Sequence, residues 1–255
     1  MGKIALITGA SSGFGKAAAL KFAANGYDCI INGRRAERLD ALAEEIKNKY
    51  NVQVHCLPFD VRDQSAVFTS IDQLPEQWKN IDVLVNNAGL ALGRDYFDEA
   101  SLDDWNIMID TNIKGALYVA RAVTRYMIDR KKGHVINLGS IAGKEVYEKG
   151  NVYCASKSAV DAFSQAMRID LLRHGIKVTA IHPGAADTEF SIIRFKGNEE
   201  AAKKVYEGIV PLTGDDVADV IYYCASLPAH VCINDLTITC TQQANSFYTH
   251  RQPVG

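Results

Sequence analysis

Short apolar runs alternate with longer amphipathic ones along this chain, and that alternation constrains the fold more than any single motif. Residues 3–8, 27–32, 52–57, 81–86, 134–138 and 177–181 read as strands, with a last strand near 236–239. Between them, 13–25, 36–50, 63–74, 102–130, 151–174 and 215–226 carry helical patterns. Near-continuous apolar strands separated by helices predict an α/β protein, a parallel sheet covered by helices on both faces. With 255 residues and no long Pro/Gly/Ser linker or internal repeat, the chain is read as one domain over 1–255. The weakest patterning lies at 188–213, which is long, polar and interrupted, as a lid over a binding site often is.

The charge balance narrows the function classes. Formal net charge is -2 with a pI near 6.3, so no bulk basic field points to nucleic acid. No apolar run is long enough to span a bilayer, and the first apolar run is too short for a signal peptide, so a cytoplasmic protein with no membrane partner is expected. Cys29, Cys56, Cys154, Cys224, Cys232 and Cys240 are scattered without a C-x-x-C pair, which reads as reduced thiols and no metal site.

The first strand runs into Thr8, Gly9, Ala10, Ser11, Ser12, Gly13, Phe14 and Gly15. Glycines at a strand-to-helix turn let backbone amides approach a pyrophosphate at a helix N-terminus. The spacing is G-x-x-x-G-x-G rather than G-x-G-x-x-G, and a plain tight turn competes with the phosphate reading. At the end of the second strand, Arg34 and Arg35 stand where NAD binders usually carry an acidic residue. Guanidinium forks match a phosphate, which points to NADP rather than NAD. A Rossmann-type, doubly wound sheet follows from this loop in this position.

Tyr153 and Lys157 stand one helical turn apart, thirteen and more residues after Ser140. A free phenol, with a pKa of about 10, is a poor acid or base at neutral pH. An adjacent ammonium favours the phenolate, so Lys157 is expected to lower the Tyr153 pKa. A serine hydroxyl brought in from another strand can hold the substrate oxygen. Taken alone, such a pair also fits an ordinary helix surface.

Together these motifs resemble the short-chain dehydrogenase/reductase family across nearly the whole chain. The resemblance rests on the Thr8-to-Gly15 loop, Asp60-Val61, Asn86-Asn87-Ala88-Gly89, Asn112, Ser140, Tyr153, Lys157, and Pro183-Gly184 followed by Thr188. It implies that Asp60 and Val61 flank the adenine and that Asn87, Ala88 and Gly89 line the adenosine side. Pro183, Gly184 and Thr188 would contact the nicotinamide end. It further implies Asn112 as holder of a relay water, Ser140 as partner of the reacting oxygen, Tyr153 as general acid/base, and Lys157 on the nicotinamide ribose. A homo-tetramer is implied as well. One departure is Ala185-Ala186-Asp187, where the family often carries another glycine.

Further stretches are similar to the NADP-dependent 3-hydroxy acid dehydrogenases, which act on serine, allo-threonine and 3-hydroxypropionate-type acids. They are residues 86–93, 188–191, 194–197, 227–230 and 250–252. A hydroxy acid brings a carboxylate, for which Arg194 is the candidate contact; a surface position or a cofactor-phosphate contact are its alternatives. Two other functions remain open: an NADP(H)-dependent reductase of another carbonyl compound, and a non-catalytic NADPH sensor of the same fold. The final residues Pro253 to Gly255 carry no reading.

Overall fold

In a computed structural model that describes residues 2–252, seven strands form one parallel sheet in the order β3-β2-β1-β4-β5-β6-β7. The strands are β1 (Ile4–Ile7), β2 (Asp28–Gly33), β3 (Val54–Pro58), β4 (Ile81–Asn86), β5 (Gly133–Leu138), β6 (Ile176–Pro183) and β7 (Asp235–Ile238). The helices are α1 (Gly13–Ala24), α2 (Ala36–Lys49), α3 (Gln64–Asp72), α4 (Leu102–Ile109), α5 (Ala116–Arg130), α6 (Asn151–Leu171), α7 (Glu189–Arg194), α8 (Glu199–Lys204) and α9 (Gly214–Ser226). The expected Rossmann-type, doubly wound fold is what the chain adopts. The sheet order reverses between β1 and β4, and a doubly wound sheet opens its binding crevice there, at the carboxyl ends of the strands.

The two-residue period of a strand divides β1 between two cores. Ala5 and Ile7 pack on one face with Phe22, Leu39 and Ile221. Ile4 and Leu6 pack on the other with Trp78, Leu84 and Val123. Phe22 is fully buried, meeting Tyr27 and Tyr222 edge-on at 5.0 and 5.6 Å between ring centres. Removing a buried ring of this kind costs about 3–5 kcal/mol.

Two regions depart from the sequence pattern. The expected helix over 102–130 breaks at Asp110–Gly115, which forms a wide π turn between α4 and α5. The turn centres on Asn112, whose buried side chain reaches sideways to residues outside the helix. The interrupted stretch 188–213 contains two short helices rather than continuous irregular chain. Thr188 caps α7 through Phe190 N–H, and Asn198 caps α8 through Ala201 N–H. Phe190 and Ile193 of α7 line the cleft rather than the main core, and helices this short carry no long amphipathic period. At the start of α3, Asp63 accepts from Ala66 N–H as the cap, leaving Asp60 free to bind Arg62.

Candidate active site

A cavity of about 400 Å³ opens at the switch point between β1 and β4 and continues past the ends of β5 and β6. At one end lies the glycine loop. Gly9 has φ +65°, the left-handed region that suits glycine, and a Cβ on Gly15 would lie 2.3 Å from the Gly9 carbonyl oxygen. These two positions keep the turn between β1 and α1 tight. Ser12 precedes α1 without a side-chain cap, so the first amides of the helix have no capping side chain. That donor set fits a pyrophosphate.

The loop is braced from β4. Thr8 Oγ1 accepts from the N–H groups of Asn87 and Ala88, both at 2.9 Å, and Asn87 Nδ2 donates to the Thr8 carbonyl at 2.9 Å. Ser11, Ser12, Gly13, Phe14 and Gly9 line the cavity, whereas Ala10 and Gly15 sit behind it and support the turn. Arg34 and Arg35 also line it. Arg35 Nη2 donates to Ser11 Oγ at 3.1 Å, which ties the second strand's cation to the first loop. Two guanidinium groups beside hydroxyls and helix amides fit a dinucleotide carrying an extra phosphate. Asp60, Val61, Asn87, Ala88, Gly89, Pro183, Gly184 and Thr188 all line the same cavity.

At the other end, Tyr153 and Lys157 project from α6, Ser140 follows β5, and all three line the cavity. Ser140 Oγ accepts from Ala142 N–H at 3.1 Å and lies 3.5 Å from the Pro183 carbonyl. Lys157 Nζ donates to the Leu138 carbonyl at 2.9 Å. Burial lowers the Lys157 ammonium from its ordinary 10.5 to about 8. The expectation that Lys157 lowers the Tyr153 pKa is not met in this state. Burial pushes the phenol up, the neighbouring Tyr147 adds to that, and the Ser140 hydroxyl and Arg194 oppose it. The reason is geometric: the ammonium is committed to Leu138 while the phenol sits in a dry wall with Phe190, ring centres 5.6 Å apart.

Asn112 is placed behind the site rather than in its lining. Its Nδ2 donates to the Leu90 carbonyl at 2.8 Å and to Ser156 Oγ at 3.0 Å, and its Oδ1 accepts from Leu90 N–H at 2.8 Å. Both side-chain donors are thus used within the protein, which leaves none for a relay water. Arg194 lines the cavity close to the phenol, its Cζ 5.4 Å from the Tyr153 ring centre. Its Nη1 donates to Tyr147 Oη at 2.9 Å, and its Nε lies 3.3 Å from the Gly93 carbonyl.

Several residues of the site carry no local signal in the sequence. Tyr147 and Phe190 meet Tyr153 only in the folded chain. Arg38 Nη1 holds Glu189 Oε1 at 2.9 Å, so the start of α2 grips the start of α7 across the cleft. Gln243 Oε1 accepts from Ala185 N–H at 2.7 Å and lies against the position a Cβ on Gly184 would take. Behind Ser140, fully buried His182 lies 3.3 Å from the Ser140 carbonyl through Nδ1 and 3.0 Å from Asp235 Oδ2 through Nε2. Lys144 Nζ sits between Asp235 and Asp161, at 2.7 and 3.0 Å. A run of polar types spread over four elements gave no pattern that pointed to this support.

Comparison with known proteins places the whole chain. The short chain dehydrogenase family profile matches residues 3–198. Sulfoacetaldehyde reductase 2 of Chromohalobacter salexigens is 47% identical over 249 residues, 97% of this chain and 98% of that protein. The NADP-dependent 3-hydroxy acid dehydrogenase YdfG of Salmonella typhi is 46% identical over 251 residues, 97% of this chain and 99% of that one. The closed form of serine dehydrogenase complexed with NADP+ superposes with a TM-score of 0.91 at 45% identity, covering 98% of this chain and 100% of that chain.

Proposed function

This chain belongs to the short-chain dehydrogenase family, and we propose that it is an oxidoreductase moving a hydride between NADP(H) and a small 3-hydroxy acid. The observation that carries the reading is the convergence of Ser140, Tyr153, Lys157 and Arg194 at one end of a cavity whose other end is the glycine loop with Arg34 and Arg35. The residues present fit NADP: the uncapped N-terminus of α1 and the serines for the pyrophosphate, Arg34 and Arg35 for the extra phosphate, and Asp60 and Val61 for the adenine. Bound NADP+ supplies the hydride acceptor, and NADPH the donor.

The chain's own side chains do the rest. Ser140 Oγ holds the substrate oxygen, and Tyr153 Oη takes the hydroxyl proton in oxidation or returns it to a carbonyl in reduction. Burial pushes the phenol up, so in this state it holds its proton at neutral pH. Lys157 holds positive charge beneath the reacting region, steered by the Leu138 carbonyl. Asn112 acts through position: it fixes Leu90, and with it Gly89, against which both Asn112 Oδ1 and Lys157 Nζ pack. Segment 188–213 serves as the lid, its α7 bringing Phe190 and Arg194 to the phenol. Arg194 is assigned to the substrate's acidic group.

A second reading, at the same residues of this chain, is favoured by the reductase at 47% identity: reduction of a small sulfonated aldehyde. Association into a tetramer fits the exposed Leu117 on α5 and the exposed Ile169 on α6. Initial rates of NADPH formation at the nicotinamide absorbance band test the primary reading, with L-serine, D-serine, L-allo-threonine and 3-hydroxypropionate under NADP+ and NAD+ side by side. Turnover with NADP+ on at least one of the four is expected. Silence on all four acids, with NADPH binding intact, would overturn it.

A further inference from the structure

Arg94 follows the segment that leaves β4 and has no assigned role. Its guanidinium carbon lies 5.9 Å from the Tyr147 ring centre, and that of Arg194 lies 5.6 Å from the same ring. Both arginines line the cavity with Tyr153. Arg194 spends one donor on Tyr147 Oη and one on Gly93, whereas Arg94 makes no hydrogen bond or ion pair among the described residues. A guanidinium presents five donors and no acceptor, so donors remain on both.

The acidic groups of the cavity are elsewhere. Its charged lining residues are Arg34, Arg35, Arg94, Lys157 and Arg194 against Asp60 and Glu189. Asp60 is held by Arg62, and Glu189 by Arg38 at the start of α2, both at the adenosine end. Around the phenol there is no carboxylate in the lining at all. Among the described lining residues, a substrate ammonium would therefore meet two guanidinium groups and no carboxylate, and like charges so placed repel.

We propose that Arg94 and Arg194, which share the Tyr147 ring as a neighbour, form with the Tyr147 hydroxyl a two-arginine cradle for the substrate's acidic group, and that this cradle selects small hydroxy acids or their aldehydes that carry no ammonium. The inference rests on the function proposed above and narrows its substrate class. 3-Hydroxypropionate fits it and serine does not. A sulfonate, with three oxygens for the forks and the hydroxyl, fits as well as a carboxylate does.

The test measures kcat/KM with NADP+ for 3-hydroxypropionate, 2-hydroxyethanesulfonate, L-serine and D-serine. Binding of the same four compounds to the NADP+-saturated protein is followed by calorimetry. The two acids without ammonium are expected to exceed serine by about tenfold or more, the scale of one charge-assisted contact. The ratio between them separates the carboxylate from the sulfonate source. Arg94→Gln should raise KM for the better acid by about tenfold with kcat moving little, and Arg94→Lys should recover part of the loss. KM for 1,3-propanediol, an uncharged alcohol, should not move in either variant. Serine equal to or better than both acids, or an Arg94→Gln effect that is the same on the diol, overturns the cradle. If no compound turns over but the acids still bind in preference to serine and lose affinity in Arg94→Gln, the cradle stands and the proposed reaction falls.

Discussion

The Lys157 ammonium is bound to the Leu138 carbonyl at 2.9 Å, so the lysine that stands one turn from Tyr153 on α6 is anchored to the strand leading into Ser140. That single contact ties the three polar groups of the site into one rigid unit. The phenol and the ammonium come from one helix and the serine from the end of β5, and Leu138 fixes their relative position. It also explains why spacing along α6 alone misjudged the electrostatics of the phenol.

Tyr153→Phe removes the hydroxyl that exchanges the proton and keeps the ring against Phe190. Turnover should fall by about a hundredfold or more, the usual worth of a positioned acid or base. NADPH fluorescence titration should give an affinity close to wild type. Retained turnover would place the proton transfer on another group.

Replacing both Arg34 and Arg35 by alanine should raise KM for NADP+ by about tenfold or more while leaving KM for NAD+ within about twofold. Loss of Arg35 also frees Ser11 Oγ. Steady-state rates with the two cofactors give the ratio. An unchanged ratio would put the phosphate contact elsewhere.

Asn112→Ala leaves the N–H and C=O of Leu90 without partners in a buried setting. Each such group costs about 1–3 kcal/mol, so the variant should lose about 2–4 kcal/mol in urea unfolding. Asn112→Asp keeps an acceptor for Leu90 N–H but loses both donors, and should be destabilised as well. A loss below about half a kcal/mol would show that the π turn holds itself without the side chain.

Lys157 gives a pH dependence of stability with a definite sign. Its folded-state pKa is about 8 against an ordinary 10.5, because burial disfavours the ammonium. Below about 8 the group is charged in both folded and unfolded chains and contributes no slope. Between about 8 and 10.5 the unfolded chain binds more protons, so this group's share of the stability rises with pH. Urea unfolding of the cofactor-free protein and of Lys157→Met should therefore diverge in favour of wild type as pH climbs from about 7.5 to about 10. A constant difference across that range is the result that would falsify the lowered pKa.

The strands were legible because each is a short, mostly apolar run between turn residues. Residues 81–86 were read as the strand the structure has, and 3–8 overran β1 by one residue at either end. Residues lining the glycine-loop end were equally legible, since a short stretch of backbone makes that end. The substrate end was read only in part. Tyr147, Phe190, Arg94 and Arg194 come from three separate stretches and meet only through the turns of the fold. Their types are ordinary for exposed or half-buried positions. A period count over 102–130 sees one helix, because apolar residues continue on both sides of Asn112. The ending at Pro253 to Gly255 lies outside the described residues.

The wide turn at Asp110–Gly115 bears on how this segment can vary between chains. In an α-helix each residue advances the direction of its side chain by about 100°. The turn lets α4 present Met108 inward and seat Trp105 Nε1 on Asn151, while α5 presents Val119 and Val123 to the sheet. Deleting one residue there would restore ordinary helical winding with the two halves in nearly the same phase, but would take away the sideways reach of Asn112 to Leu90 and Ser156. Surface loops of this protein can change length at little cost, but this stretch, though helical throughout and open to substitution at Lys114, has a fixed residue count.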